Sequence, residues 1–167
     1  MPVISPSAAG GLNVCAALDM IATSELLQAV LNGSDNGYNV LVGSTPNAIH
    51  SFASYADHPR IYVPACNSDA AGRYQIMSHW WPAYKAQLEL PDFGPLSQDR
   101  YAIQQIKESR AYGAAQAGDI ATVITNCAHI WASLPGNSYG QHTQPLDFLK
   151  AAYVLNGGTV TGAAAAW

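Results

Sequence analysis

Glutamate is scarce in this chain. It occurs only at positions 25, 89 and 108, and the three are not equivalent. Glu89 and Glu108 sit among polar neighbours and read as solvated. Glu25 sits in an apolar run, and at about 100° per residue Val14, Leu18, Ile21 and Glu25 fall within a narrow arc of one helical face. That pattern puts a carboxyl on the stripe expected to pack against the rest of the protein. Desolvation favours the neutral acid, so such a group is poised for general acid chemistry near neutral pH. Two quieter arrangements fit the same pattern. Glu25 could be a buried carboxylate satisfied by an arginine or by backbone N–H groups, or the helix could be rotated enough for it to reach water.

Other residues with chemical potential are less organised. His50, His58, His79, His129 and His142, with Cys66, show no His-x-x-x-His or glutamate-flanked pattern, so neither a metal nor a cofactor is expected. Cys15, Cys66 and Cys127 are widely spaced, without a C-x-x-C pair, and read as reduced thiols; Cys15 and Cys127 fall in helical patterns as small buried groups. The seven Lys and Arg are scattered and the formal net charge is −4, which excludes the basic stripe of a nucleic-acid binder and gives no steering towards an anionic surface.

The elements that must position Glu25 follow from patterning. A content of 49% hydrophobic and 11% charged residues describes a globular chain of one domain, 1–167, without a linker or repeat. After an irregular lead-in to Gly11, a helix is expected from Leu12 to Leu31, closed by Asn32-Gly33. Asp19, Glu25 and Gln28 interrupt its apolar run and no basic segment precedes it, so neither a signal peptide nor membrane insertion is expected. Tyr38–Gly43 reads as a strand, with Ile61–Val63 as its partner, inside a turn-rich β-lobe of about 38–71. Helices follow: one capped by Ser78 and running to Leu88, one capped by Ser97 and carrying Ile103 and Ile106, and one from Ile120 through Trp131 to Leu134-Pro135-Gly136. The last opens at Pro145, ends at Asn156-Gly157, and turns Leu146, Leu149 and Tyr153 inward. The tail 159–167 is expected to be loose. The sum is an α+β fold, a helical body with a small β-lobe inserted in its N-terminal third.

Around Glu25 the sequence resembles the bacteriophage lambda endolysin family of murein transglycosylases. The likeness begins with Leu18-Asp-Met-Ile-Ala-Thr-Ser-Glu25 and continues in order through Gly37–Gly43, Tyr55–Arg60, Ala71–Gln75 and Trp80-Trp81. It resumes at Ser97–Asp99, Gln104–Glu108, Ile130–Gly136, Tyr139–Gln141 and Gly157–Val160, covering about residues 12–160. The wider lytic transglycosylase group carries a Glu-Ser pair, a Gly-x-x-Gln turn and a Tyr-containing motif. Their counterparts here are Ser24-Glu25 in reversed order, Gly72–Gln75 and Ser138–Gln141. Three departures stand out: Leu26-Leu27 after the acid, a long Ser44–Ser54 segment, and an acidic charge balance.

The resemblance implies a lysozyme-like fold with a cleft between the helical body and the β-lobe. It implies that Glu25 protonates the bond between N-acetylmuramic acid and N-acetylglucosamine, and that the muramoyl C6 hydroxyl closes on C1 to give a 1,6-anhydro end. In such a cleft Tyr74, Gln75, Tyr139 and Gln141 are candidate substrate contacts, while Trp80 and Trp81 fit core packing better, with at most one of them inward. The expected partner is the peptidoglycan glycan strand. A monomer in the host bacterial cytoplasm would reach it after a holin permeabilises the membrane. Two rival readings remain. A muramidase would need a second carboxylate, for which Asp57 and Asp69 are candidates and Asp35 a weaker one. A non-catalytic peptidoglycan-binding domain would have no use for a desolvated acid.

Overall fold

The computed structural model describes residues 1–137, 140 and 143–162. Among the described residues seven α-helices run in the order α1 (Pro6–Ala9), α2 (Leu12–Asn32), α3 (Trp81–Gln87), α4 (Pro95–Glu108), α5 (Tyr112–Ala117), α6 (Ile120–Cys127) and α7 (Leu146–Leu155), with a 3-10 turn at Pro64–Cys66. They belong to two compact units, Met1–Glu25 with Ala102–Trp167, and Leu26–Tyr101. Helices α2 and α4 each contribute to both.

In the first unit α2 is the core. Every residue from Val14 to Ser24 is buried, as expected of a helix that is apolar on all sides. By length and composition α2 could cross a membrane, yet 78% of its apolar window is buried inside the protein. Also buried in this unit are Ile103 and Ile106 of α4, Ala115 of α5, Ile120, Val123, Ile124 and Cys127 of α6, and Leu149 and Tyr153 of α7. Asn13, at the start of α2, ties distant segments together: its Nδ2 donates to the Gln116 carbonyl at 3.0 Å and its Oδ1 accepts from the Thr159 amide at 2.9 Å. Gly118 has a φ of 84°, and a Cβ there would stand 2.0 Å from the Thr159 carbonyl oxygen. The Thr161 amide donates to the Gly118 carbonyl at 2.9 Å, so the segment expected to be loose from Thr159 is hydrogen-bonded as far as Thr161.

Several boundaries differ from the patterning. The lead-in contains α1, started by Pro6 and capped by Ser5, whose Oγ accepts from the Ala8 amide. Helix α3 starts at Trp81 with Pro82 in its first turn; Ser78 is not its cap, because its hydroxyl and amide are both spent on Asp69. Helix α4 starts at Pro95, ahead of Ser97, whose hydroxyl donates to Asp92 at 2.9 Å. Asp119 caps α6, accepting from the Thr122 amide, but the helix stops at Cys127 and turns replace its expected continuation. Helix α7 runs as expected except that Leu146 is 39% exposed.

The second unit pairs its extended segments through isolated antiparallel bridges: Val40 with Ser51, Leu41 with Ala71, and Ala71 with Ile76. The segment around Val40 thus has neighbours on both sides, with Leu41 N donating to His50 O at 2.8 Å and Gly72 N to Val40 O at 2.8 Å. Ile61–Val63 is not its partner; Val63 bridges Ser68 in a tight local turn. The long Ser44–Ser54 segment folds on itself through a Thr45–Ala48 bridge and a Ser44 hydroxyl that accepts from the His50 amide.

With so little ladder, side chains supply the missing bonds. Gln98 is fully buried, its Oε1 accepting from the Arg73 amide at 2.9 Å and its Nε2 donating to the Tyr38 and Phe93 carbonyls at 2.9 and 2.8 Å. Gly72, at a φ of 79°, makes room for it, since a Cβ would lie 2.2 Å from Gln98 Oε1. Asp99 Oδ1 accepts from the hydroxyls of Tyr38 at 2.8 Å and Tyr74 at 2.6 Å. The Arg73 guanidinium lies 5.3 and 5.9 Å from the centres of those two rings.

Helix α2 is not regular throughout. Leu27 has φ 62° and ψ 147°, a conformation that L side chains rarely adopt, two residues beyond Glu25. A residue held in such a region costs on the order of 1–3 kcal/mol. Its side chain is 40% exposed, so little packing rewards it. Leu27→Gly is therefore expected to melt above Leu27→Ala. A difference of about 1 kcal/mol corresponds to roughly 2–4 °C in a chain of this size, readable by thermal circular dichroism; a lower melting point for the glycine variant would argue against strain.

Candidate active site

Glu25 is the last residue of the first unit's share of α2, where burial along the helix gives way to partial exposure. Its Oε1 accepts from Ser133, through the hydroxyl at 2.5 Å and more weakly through the amide at 3.4 Å. Both quieter readings are met in part: no arginine is bonded to Glu25 among the described residues, but one backbone amide is, and the residue keeps partial exposure. Burial raises its pKa above the ordinary 4.5, opposed in part by the Ser133 hydroxyl and amide.

Ser133 reaches Glu25 because the chain turns sharply after α6. The Trp131 amide donates to the Cys127 carbonyl and the Leu134 amide to the Trp131 carbonyl. Asn137 Nδ2 closes the turn by donating to the Ala132 and Leu134 carbonyls at 2.7 and 2.8 Å. Just before α7, the Gln144 amide donates to the Ser133 carbonyl at 2.8 Å and its Nε2 to the Ser24 carbonyl at 3.4 Å. Ser24 completes the cluster, its Oγ 2.8 Å from Ser133 Oγ and 2.8 Å from the Ile21 carbonyl oxygen to which it donates. Patterning gave Ser133 no role. Its only sequence signal is a small polar residue in an otherwise apolar run just before Pro135-Gly136.

Of the other site candidates, Tyr74 and Gln75 belong to the second unit. Tyr74 is 1% exposed, with its hydroxyl committed to Asp99. Burial and the adjacent Asp99 carboxylate hold its pKa well above the ordinary tyrosine value. It braces the second unit and has no face for a sugar, which corrects its assignment as a substrate contact. Gln75 is part-buried at a φ of 47°, and its Nε2 donates to the Gly72 carbonyl at 2.9 Å, closing its own turn. Tyr139 and Gln141 lie outside the described residues. Of the two tryptophans Trp81 is fully buried and Trp80 is 54% exposed, as the adjacent pair required.

The rival carboxylates are all engaged within the second unit. Burial pushes Asp57 up, but donation from Trp81 Nε1 at 2.7 Å and Lys85 Nζ at 3.1 Å more than offsets it, bringing its pKa down to about 2. Arg60 adds an ion pair at 3.6 Å. Asp69 is partly desolvated, yet the hydroxyl and amide of Ser78 hold its pKa below the usual carboxylate range. Asp35 accepts from the Tyr55 hydroxyl at 2.6 Å. Among the described residues no three His, Cys, Asp or Glu side chains are grouped to hold a metal ion.

A desolvated acid at the end of a core helix fits the lysozyme-like enzymes, and the fold agrees. The chain is similar to the lysozyme of bacteriophage lambda solved in complex with a chitohexasaccharide, with a TM-score of 0.81 and 45% identity over 90% of this chain and 97% of that one. Within that class the sequence is more specific. The family model described as Endolysin matches residues 15–160. The endolysin of Escherichia phage lambda is 46% identical over 154 residues, covering 86% of this chain and 90% of the relative. The endolysin of Escherichia phage P2 is 40% identical over 166 residues, covering 95% and 98%. The chain belongs to the endolysin family and is a peptidoglycan-cleaving enzyme.

Because folded Glu25 holds its proton more tightly than an unfolded glutamate, its contribution to stability is complete below 4.5 and is lost as pH rises through the raised value. Glu25→Gln cannot ionise, so it should gain in melting temperature over the wild type as pH rises from about 4 to 8. Parallel melting curves across that range would mean that the carboxyl is not desolvated. Tyr74→Phe removes a hydrogen bond to a buried carboxylate and should cost about 1.5–3 kcal/mol of stability. Below its melting transition it should keep wild-type kcat/KM on peptidoglycan; a selective rise in KM would return Tyr74 to the substrate site.

Proposed function

We propose that Glu25 is the general acid and then the general base of a lytic transglycosylase acting on the bond between N-acetylmuramic acid and N-acetylglucosamine. The observation that carries this reading is a carboxyl at the end of a wholly buried helix segment, its pKa raised by burial and its donors among the described residues neutral ones. In the first step the Glu25 proton passes to the glycosidic oxygen as the C1–O bond breaks. The muramoyl C6 hydroxyl then bonds to C1, and its proton passes to the Glu25 carboxylate. The product end is a 1,6-anhydro ring, the acid is regenerated, and no water is consumed.

One carboxyl is enough for this cycle. A hydrolase needs a second one, as nucleophile or to activate water, and Asp57, Asp69 and Asp35 are each tied into the loops of the second unit. A β-1,4 glycan as ligand is supported by the chitohexasaccharide bound to the lambda lysozyme. Gln75, Tyr139 and Gln141 are the proposed sugar contacts of this chain, by their match to the family motifs. The enzyme works as a monomer, made in the host cytoplasm and admitted to the wall by a holin. Release at high local concentration makes the absence of steering charge, with a net charge of −4, tolerable.

Digestion of purified peptidoglycan by the wild type and by Glu25→Gln, with products read by mass spectrometry, tests the assignment. The wild type should yield 1,6-anhydromuropeptides, and Glu25→Gln should be slower by about 10²–10⁴-fold or more. Reducing ends would make the enzyme a hydrolase. An undiminished Glu25→Gln would move the active site elsewhere.

A further inference from the structure

The two oxygens of Glu25 are treated differently. Oε1 receives the hydroxyl and the amide of Ser133. Oε2 has no hydrogen-bond partner among the described residues. An amide N–H can only donate, and the carbonyl oxygen of a neutral carboxyl is its better acceptor, so this contact favours the acid proton on the other oxygen. Behind Ser133 stands Ser24, in contact with both Ser133 Oγ and the Ile21 carbonyl. Three contacts therefore join Ile21 O, Ser24, Ser133 and Glu25 Oε1, but the two hydroxyls hold two hydrogens. With the acid proton on Oε2, Ser133 donates to Oε1, and the Ser24 hydrogen has a choice between the Ile21 carbonyl and Ser133 Oγ.

We propose that Ser133 and Ser24 are positioning residues of the reaction: Ser133 clamps Oε1 so that the transferable proton resides on Oε2, and the Ser24 hydroxyl swings from Ile21 O to Ser133 Oγ when Glu25 gives that proton up. In the neutral acid the Ser24 hydroxyl is free to serve the Ile21 carbonyl. Once Oε2 has lost its proton, a hydrogen donated by Ser24 to Ser133 polarises the bond from Ser133 to the carboxylate and strengthens it. The pair thus supports the charge that appears on Glu25 between the two proton transfers. It then relaxes when the C6 hydroxyl proton arrives. No proton leaves the cluster by this route, because the chain ends at a backbone carbonyl. Titratable groups on the elements that carry the cluster are Cys15 and Asp19 on α2, the latter ion-paired with the N-terminal ammonium at 3.3 Å, Asp119 at the start of α6, Cys127 and the exposed His129. None of them is bonded to the Glu25 carboxyl.

This inference rests on Glu25 being the catalytic acid, and its test separates the two claims. The pH profile of anhydro-end formation is measured for the wild type, Glu25→Gln, Ser133→Ala, Ser133→Thr, Ser24→Ala and the double variant Ser24→Ala/Ser133→Ala. Loss of the Ser133 hydroxyl should lower kcat by about ten- to a hundredfold with little change in KM. It should also move the high-pH limb of kcat/KM upward, because the carboxylate has lost a donor. Ser133→Thr should restore both. Ser24→Ala should shift the limb in the same direction by less, and should add nothing to Ser133→Ala. Titration of the carboxyl carbons by NMR reads the same shift without activity, and with glutamate at only three positions the assignment is short work. A wild-type limb and titration in Ser133→Ala, beside an inactive Glu25→Gln, would overturn the clamp alone. Additive effects of the two serines would overturn the swing of Ser24. Full activity in Glu25→Gln would overturn the clamp together with the acid it serves.

Discussion

From Val14 to Ser24 helix α2 has no solvent-facing side, and the chemistry of the first unit follows from that exclusion of water. A charge placed on such a helix loses its hydration and must be compensated by whatever the protein supplies. The two acids of α2 are supplied differently. Asp19, fully within the buried stretch, has the cationic N-terminal ammonium beside it. Glu25, where the buried stretch ends, has one hydroxyl and one amide and no positive charge among the described residues. The second arrangement, with burial opposed by neutral donors alone, favours an acid with a proton to give. The strained backbone at Leu27 stands just beyond, so the helix is regular up to the residue whose chemistry depends on it and irregular afterwards.

The rarity of glutamate made Glu25 legible, and so did its place in an apolar run. The geometric argument for it was nevertheless too narrow. Val14, Leu18 and Ile21 do share an arc with Glu25, but so thoroughly is α2 wrapped that the arc singles out nothing; depth along the helix sets its environment. Ser133 was beyond the reach of periodicity. It contacts Glu25 across 108 residues of sequence and sits in a turn held by Asn137 and Gln144, whose side-chain bonds leave no repeating pattern. Short helices escaped for a related reason, since Tyr112–Ala117 is mostly Ala, Gly and Gln and carries no apolar stripe. The segment around Val40 was visible as a strand, but its partners were not. β-propensity pointed to Ile61–Val63, whereas the turn at Gly72 delivers Ala71 to the pairing position.

The second unit was hardest to read because much of its architecture is written in side-chain amides, hydroxyls and charges. Gln98 spans three backbone groups that a regular ladder would have joined to one another, its oxygen turned to one N–H and its nitrogen to two carbonyls. That orientation has no freedom left in it. A glutamate at this position matches the shape of glutamine almost atom for atom, yet it would aim a second lone-pair oxygen at two carbonyl oxygens in a fully buried site. In most proteins an amide and a carboxylate of equal size are near neighbours in the space of tolerated substitutions. Here the exchange of NH₂ for O would undo the pairing of three chain segments at once, so the information that specifies this fold resides partly in the polarity of a single buried group.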